Sequence, residues 1–242
     1  MIYIILPIYN EADVIGKLLE KIDNEMKNNS YEYKILAIND GSTDNTVNVI
    51  RLYQKTIPLD LVDFKENRGV GEVFRCGFEH VVKKAQNDDM VVTMDADNTH
   101  EPRLIKMMQT KLNEGYDVII ASCLATGGGV VGVPILRHLM LIVCNRLYQT
   151  LFPIRGIREY TGFYRAYSAD ALKKAFLKFG PTLIEADGFA AMAEFLIKLR
   201  KISVRISEVP LILRYDQKGE KSKLKVFPTI KEHLKVIFKN LL

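Results

Sequence analysis

Val91-Val92-Thr93-Met94-Asp95-Ala96-Asp97 is the stretch that decides the fold: an apolar run that ends in two carboxylates two residues apart. Side chains of a strand alternate with period two, so Asp95 and Asp97 leave its end on the same side. In an open α/β sheet, ligands collect just beyond the carboxyl ends of the strands. Two neighbouring carboxylates there suit a hard divalent cation, Mg²⁺ or Mn²⁺, above all one shared with a diphosphate. Short Asp-x-Asp matches are common, and a helix cap beside a turn residue explains this one equally well in isolation. The surrounding chain decides between the two.

On both sides of that stretch, strand and helix signals alternate. Strands are expected at residues 2–7, 33–38, 59–64, 90–94 and 118–121. Between them Val14, Leu18, Ile22 and Met26 recur every four residues, and Val70, Val73, Phe74, Phe78, Val81 and Val82 keep helical spacing. This alternation predicts an α/β fold: a mostly parallel central sheet with helices on both faces. At 242 residues, 48% hydrophobic and 26% charged, the chain fits one large globular α/β domain. Its formal charge of +5 is compatible with anionic substrates or an anionic membrane surface and makes no case for nucleic acid. Three cysteines, Cys76, Cys123 and Cys144, are an odd number without metal-ligand spacing, which points to a reducing compartment. The opening Ile2-Tyr3-Ile4-Ile5-Leu6 carries no basic leader and reads as the first strand. No uninterrupted apolar segment approaches the roughly 20 residues that span a bilayer.

The turn after the first strand is Pro7-Ile8-Tyr9-Asn10-Glu11. It has neither the Gly-x-Gly-x-x-Gly of a dinucleotide fold nor the Lys-bearing glycine loop of a P-loop enzyme. After the second strand comes Asn39-Asp40-Gly41-Ser42-Thr43-Asp44. Gly41 permits a tight turn and Ser42 or Asp44 can cap the next helix. Neither role accounts for Asp40, expected at the strand end and facing the same crevice as Asp95. Asn67-Arg68-Gly69-Val70-Gly71 opens the third helix, either offering free N–H groups to an anion or allowing close helix packing.

Together with Asp95-Ala96-Asp97, these motifs resemble, in order and spacing, those of the inverting family 2 glycosyltransferases of the GT-A (Rossmann-like) fold. Gly127-Gly128-Gly129-Val130-Val131-Gly132-Val133-Pro134 with Arg137 narrows the resemblance to the dolichol-phosphate mannose synthase group. So do Tyr160-Thr161-Gly162-Phe163-Tyr164-Arg165-Ala166-Tyr167 and Glu208-Val209-Pro210 with Ser222-Lys223. The resemblance implies a nucleotide-sugar half over residues 1–97, an acceptor half over 98–220 and a C-terminal helix over 221–242. It implies that Pro7, Tyr9, Glu11 and Asp40 hold the nucleoside, with Asp40 reading the base, and that Asp95 and Asp97 hold Mg²⁺ or Mn²⁺ on the diphosphate. Asn39 departs from the family, which usually has a second acid there. Thr99 stands where a Gln often lies beside the metal, and Cys123 where an Arg usually follows the Ser at Ser122.

The second half is expected to hold the acceptor phosphate through Ser122, Arg137, Arg165, Ser222 and Lys223, with Arg214 closing on the phosphates. Guanidinium forks suit that anion. Residues 127–132 are glycine-dense and read as a mobile loop. Residues 135–152 are helical in period but apolar nearly all round. They read first as a buried core helix, with a helix against lipid or a prenyl chain as the alternative. The stretch 184–201 leads into a further helix, and Val204, Ile206 and Val209 alternate as a strand. From Lys221 to Leu242 there are six Lys and one Glu around an apolar stripe. That is either a membrane-surface helix or an edge helix packed on the domain.

The chemistry implied is inverting, metal-dependent transfer of a hexose such as mannose from a nucleotide-sugar donor, for instance GDP-mannose, to a polyprenyl phosphate. It would take place peripherally on the cytoplasmic face of a membrane, with room for a membrane-embedded partner protein. Two alternatives stay open. One is transfer to a hydroxyl acceptor, which needs a general base such as Glu185 or Asp187. The other is a non-catalytic nucleotide-binding module recruited to membranes.

Overall fold

The computed structural model describes residues 1–218 and 226–241. The strands are β1 (Ile2–Ile8), β2 (Tyr33–Asp40), β3 (Leu59–Phe64), β4 (Met90–Thr93), β5 (Val118–Ser122), β6 (Gly129–Val131), β7 (Arg165–Ser168), β8 (Ile206–Pro210) and β9 (Ile212–Arg214). The helices are α1 (Ile15–Asn28), α2 (Thr46–Tyr53), α3 (Val70–Val82), α4 (Leu104–Asn113), α5 (Ile135–Leu151), α6 (Ala169–Phe179), α7 (Ala191–Leu199) and α8 (Val226–Leu241). Seven strands form one sheet in the order β3-β2-β1-β4-β7-β5-β8. Only β7 runs against its neighbours, pairing antiparallel with β4 and β5. A second, two-stranded sheet pairs β6 with β9 in parallel.

Each face of the large sheet is covered by helices. Ile15, Leu18 and Ile22 of α1, Ile50 of α2, and Ile105 and Met108 of α4 pack against Ile4, Leu6, Ile35 and Val92 on one face. Phe74 and Phe78 of α3, Leu172 of α6 and Phe195 of α7 pack with Ile5, Ile38 and Val91 on the other. Val92, Met94 and Ala96 all enter the first of these layers. The two-residue alternation therefore continues past the end of β4 and turns Asp95 and Asp97 away from that core. β4 pairs with β1 only as far as Ile5↔Thr93. Pro7, two residues further along β1, costs no ladder bond on that side, and the crevice opens where β1 and β4 part.

Two expectations are corrected. The glycine-dense stretch 127–132 is not loop throughout: Gly129–Val131 is β6, in register with Ile212–Arg214. Nor is α5 a buried core helix. Of its 17 residues only Asn145 and Tyr148 are buried, whereas Ile135 is 81% and Val143 66% exposed. The polar side chain is the one turned inward. Asn145 donates to Leu141 O and Thr161 Oγ1 and accepts from Tyr160 N–H at 2.6 Å, so its amide is satisfied in the interior. The apolar residues are left outside. α8 docks on the domain through buried His233, Val236 and Ile237, while Phe227 and Phe238 face outward.

Candidate active site

The loops at the carboxyl ends of β1 and β2 are laced together. Asn10, in a left-handed conformation (φ 53°), donates its N–H to Ser42 Oγ at 2.9 Å and accepts Thr43 N–H on its side chain at 2.7 Å. Glu11 N–H donates to Thr46 Oγ1 at 2.8 Å. Of the two expected caps, Asp44 performs the task, accepting Thr46 N–H at the start of α2, while Ser42 ties the two loops. Tyr9 and the buried Glu11 are thereby fixed at the crevice edge. Buried Asp40 accepts Arg68 N–H at 2.7 Å on one carboxylate oxygen and Gly69 N–H at 3.1 Å on the other. Burial raises its carboxyl above the usual range against the pull of those two bonds. Asp40 thus clamps the turn into α3, and each oxygen retains a lone pair for a ligand. Asn39, the departure from a second acid, faces an acid instead, donating to Asp63 Oδ1 at 2.8 Å.

The glycines after Asn67 serve close packing. Gly71 N–H donates to Asp187 O at 2.8 Å, and a Cβ on Gly71 would run into Ala186 O. The loop before α7 is therefore pressed against the opening of α3, with the Asp187 carboxylate held by Arg75 at 2.8 Å.

At the end of β4, Asp97 accepts Thr99 Oγ1–H at 2.6 Å on Oδ1 and ion-pairs through Oδ2 with the Lys218 ammonium. Burial raises Asp97, but the Lys218 charge and these hydrogen bonds outweigh it and hold the carboxyl below the usual range. Burial, then the neighbouring Asp97 charge, push Asp95 the other way, up to about 7. Arg137 and Lys218 oppose that rise, so the guanidinium charge reaches the acid pair. Buried His100 stacks on Tyr164 with ring centroids 5.0 Å apart and accepts Asp95 N–H on Nδ1 at 3.2 Å. Desolvation pushes its pKa down to about 4, so the ring is neutral and its proton sits on Nε2, 3.8 Å from Asp95 Oδ2. Thr99 stands where the resemblance placed it, beside Asp97. His100 and Lys218 carried no signal as site residues beyond the nearness of His100 to Asp97 in the chain.

Among the described residues no group of three or more His, Cys, Asp or Glu converges as a ready-made metal cage. The donor set is two carboxylates, one of them already holding a cation in the form of Lys218. All-oxygen donors with sites left for a diphosphate fit Mg²⁺ or Mn²⁺. Across the crevice, Arg137 donates to the Tyr215 hydroxyl at 3.1 Å, and Arg214 grips Asp216 at 2.9 and 2.8 Å.

Glu11, Asp95, Asp97 and Arg137 are thus brought together, while Arg214 reaches the site through its backbone N–H on Thr99 O and keeps its guanidinium on Asp216. Two expected phosphate ligands are not. Arg165 is 0% exposed, its guanidinium donating to Met192 O at 2.8 Å and Tyr160 O at 2.6 Å, so it is a strut beneath the sheet and not an anion site. Ser122 is fully buried, its Oγ accepting Leu124 N–H beside the carboxylates of Glu159 and Glu208. The departure at Cys123 buries its thiol, with its N–H donated to Glu159 at 2.7 Å. Ser222 and Lys223 lie outside the described residues.

A mostly parallel sheet carrying an acid pair at its switch point, with Arg137 in reach of it, makes this an α/β protein with its charged cluster at the strand ends. The chain belongs to glycosyl transferase family 2, whose model matches residues 3–176. It is 30% identical over 240 residues to a dolichol-phosphate mannosyltransferase of Pyrococcus furiosus, covering 98% of this chain and 62% of that protein. A second curated relative, from Bacillus subtilis, is 38% identical over 122 residues, 50% of this chain and 36% of the relative. The chain thus spans less than two thirds of the length of either. In fold it matches glucosyl-3-phosphoglycerate synthase of Mycobacterium tuberculosis. The complex of that enzyme with Mg²⁺ and uridine diphosphate gives a TM-score of 0.68 at 16% identity, over 100% of this chain and 79% of that one. Its complex with Mn²⁺, uridine diphosphate and phosphoglyceric acid gives 0.67 at 17% identity, over 98% and 76%.

Proposed function

We propose that this chain transfers a hexose from a nucleoside-diphosphate sugar to a polyprenyl phosphate with inversion at the anomeric carbon. The observation that carries the reading is the acid pair Asp95–Asp97 within electrostatic reach of Arg137, with Glu11 beside the same cluster. Pro7, Tyr9, Glu11 and Asp40 hold the nucleoside. Asp95 and Asp97 hold Mg²⁺ or Mn²⁺, which when bound offsets charge on the diphosphate leaving group. Arg137 and Arg214 orient the acceptor phosphate for in-line attack, joined by Ser222 and Lys223 of the following segment. A phosphate monoester has a second pKa of about 6 and is mostly ionised at neutral pH, so no strong general base is required. The dolichol-phosphate mannosyltransferase relative supports a prenyl phosphate acceptor and a mannose donor.

Membrane contact fits the same reading. No helix of the described residues is long and apolar enough to cross a bilayer. The outward apolar residues of α5 support peripheral attachment to a membrane. A screen of nucleotide sugars against a short polyprenyl phosphate with Mn²⁺ or Mg²⁺, read by product mass, tests the proposal. A hexosyl phospholipid is the expected product; turnover only with hydroxyl acceptors overturns it.

One observation favours that second acceptor class. Glu185 is tied to Lys198 and Lys239, whereas Asp187, paired with Arg75 at 2.8 Å, keeps a side chain 74% exposed beside the start of α3. Asp187 is then the general base. Asp187→Asn abolishing turnover with donor binding unchanged would select the hydroxyl reading.

A further inference from the structure

Residues 214–218 run across the acid pair and satisfy the charged groups around it. Arg214 N–H donates to Thr99 O at 3.2 Å, fixing the start of the segment against the loop that carries Asp97. Arg214 itself is closed on Asp216. The Tyr215 ring lies 5.2 Å beneath the Arg137 guanidinium and its hydroxyl accepts from it. Gln217 accepts from Lys21 of α1 at 3.2 Å, which anchors the segment to the donor half. At its end, Lys218 turns in with a side chain only 14% exposed and meets Asp97. Asp95 and Glu11 add their negative charge around the same ammonium.

We propose that this strap is an internal stand-in for the ligands: the Lys218 ammonium occupies the cation position of the acid pair while Asp216 holds Arg214 as a phosphate would. The inference rests on the reading of Asp95 and Asp97 as the metal site. Thr99 donates to Asp97 Oδ1 and Lys218 sits on Oδ2, so a metal must compete with the ammonium for the charge of Asp97 until the strap lifts. A divalent cation arriving alone must displace a monovalent one from a desolvated pocket and leave that ammonium unpaired. A cation arriving with a nucleoside diphosphate brings negative charge that takes over both Lys218 and Arg214. The strap therefore disfavours empty metal binding and favours joint entry of metal and donor.

Titration of the chain with MnCl₂ without nucleotide, followed by the electron paramagnetic resonance signal of free Mn²⁺, tests this. If the strap leaves the site open about a tenth of the time or less, removing the competing charge tightens binding about tenfold or more. Lys218→Met and Lys218→Gln are expected to show that gain, and Lys218→Arg, which keeps the charge, to remain as weak as the parent. Unchanged Mn²⁺ affinity in both neutral variants, each shown folded by circular dichroism, overturns the proposal. An equal gain in Lys218→Arg also overturns it. Asp97→Asn added to Lys218→Met separates the two layers of the argument. Loss of Mn²⁺ binding in the double variant upholds the metal site whatever the strap does. Retained binding there means that the acid pair is not the metal site, and both readings fall.

Discussion

Arg165 and Arg137 have the same side chain and opposite surroundings, and their variants should fail in opposite ways. Arg165 is wholly interior and bridges two carbonyls from different parts of the chain. Arg165→Ala removes those bonds and leaves a cavity, so unfolding in urea should reveal a loss of about 3 kcal/mol. Arg137 sits half-buried on the strap's Tyr215. Arg137→Ala should leave stability within about 0.5 kcal/mol of the parent and weaken apparent affinity for prenyl phosphate far more than for the nucleotide sugar. Equal effects on both substrates would remove Arg137 from the acceptor site. The acid pair was legible only in company: Asp-x-Asp alone reads equally well as a cap beside a turn residue, and the motifs at residues 7–11, 39–44 and 67–69 decided it. Arg165 was not, because a motif carries no information on burial: a guanidinium that binds carbonyls looks the same in sequence as one that binds phosphate. Lys218 was hidden in the polar, glycine-containing stretch 216–223, which reads in the sequence as a mobile loop or a solvated charged turn.

At the level of elements, the first five strands were legible because each is a short apolar run bounded by turn residues. β7 was missed because it carries Arg165, and β6 because glycine hides its pairing with β9. The position of α8 was open between membrane and domain, and side-chain contacts dock it. Glu232 accepts Gly188 N–H at the loop before α7, Lys239 pairs with Glu185 at 2.7 Å, and His233 Nδ1 lies 2.8 Å from the Tyr148 hydroxyl of α5. Burial pushes the His233 pKa from 6.5 down to about 4. The folded state thus keeps this ring neutral, whereas the unfolded chain protonates it. Between pH 6.5 and 4 the unfolded state binds the extra proton, so stability falls as pH drops through that window. With His233 only 9% exposed, the full linkage amounts to about 3 kcal/mol. Thermal melts from pH 7 to 4.5 should show a shallower decline for His233→Phe than for the parent. Parallel curves would mean that His233 is solvated and α8 is not seated in this way.

On the scale of the whole molecule, the exposed side of α5 sets a problem that the interior does not. Ile135, Leu136, Leu139, Val143 and Leu147 lie outward on one helix, and Phe227, Ile230, Leu234 and Phe238 lie outward on α8, which packs beside it. Contiguous apolar surface of this kind on a soluble face marks an interaction site. A prenyl phosphate keeps its chain in lipid and its charge at the surface, so under the proposed function, with the phosphate on Arg137 at the start of α5, the crevice approaches the bilayer there. Lys231 and Lys235 of α8 add positive charge, which favours anionic lipid by about 1 kcal/mol per side chain near the surface. Sedimentation with vesicles of mixed neutral and anionic lipid should therefore pull down the chain, less so in high salt. Leu136→Gln with Val143→Gln should reduce binding by roughly tenfold or more, since full burial of each apolar side chain is worth about 1.5–3 kcal/mol. These positions make no contact with the core, so the melting temperature of the double variant should match the parent. If vesicle binding is unchanged in that folded variant, α5 does not face the membrane. The acceptor phosphate would then have to reach Arg137 from a free, water-borne substrate.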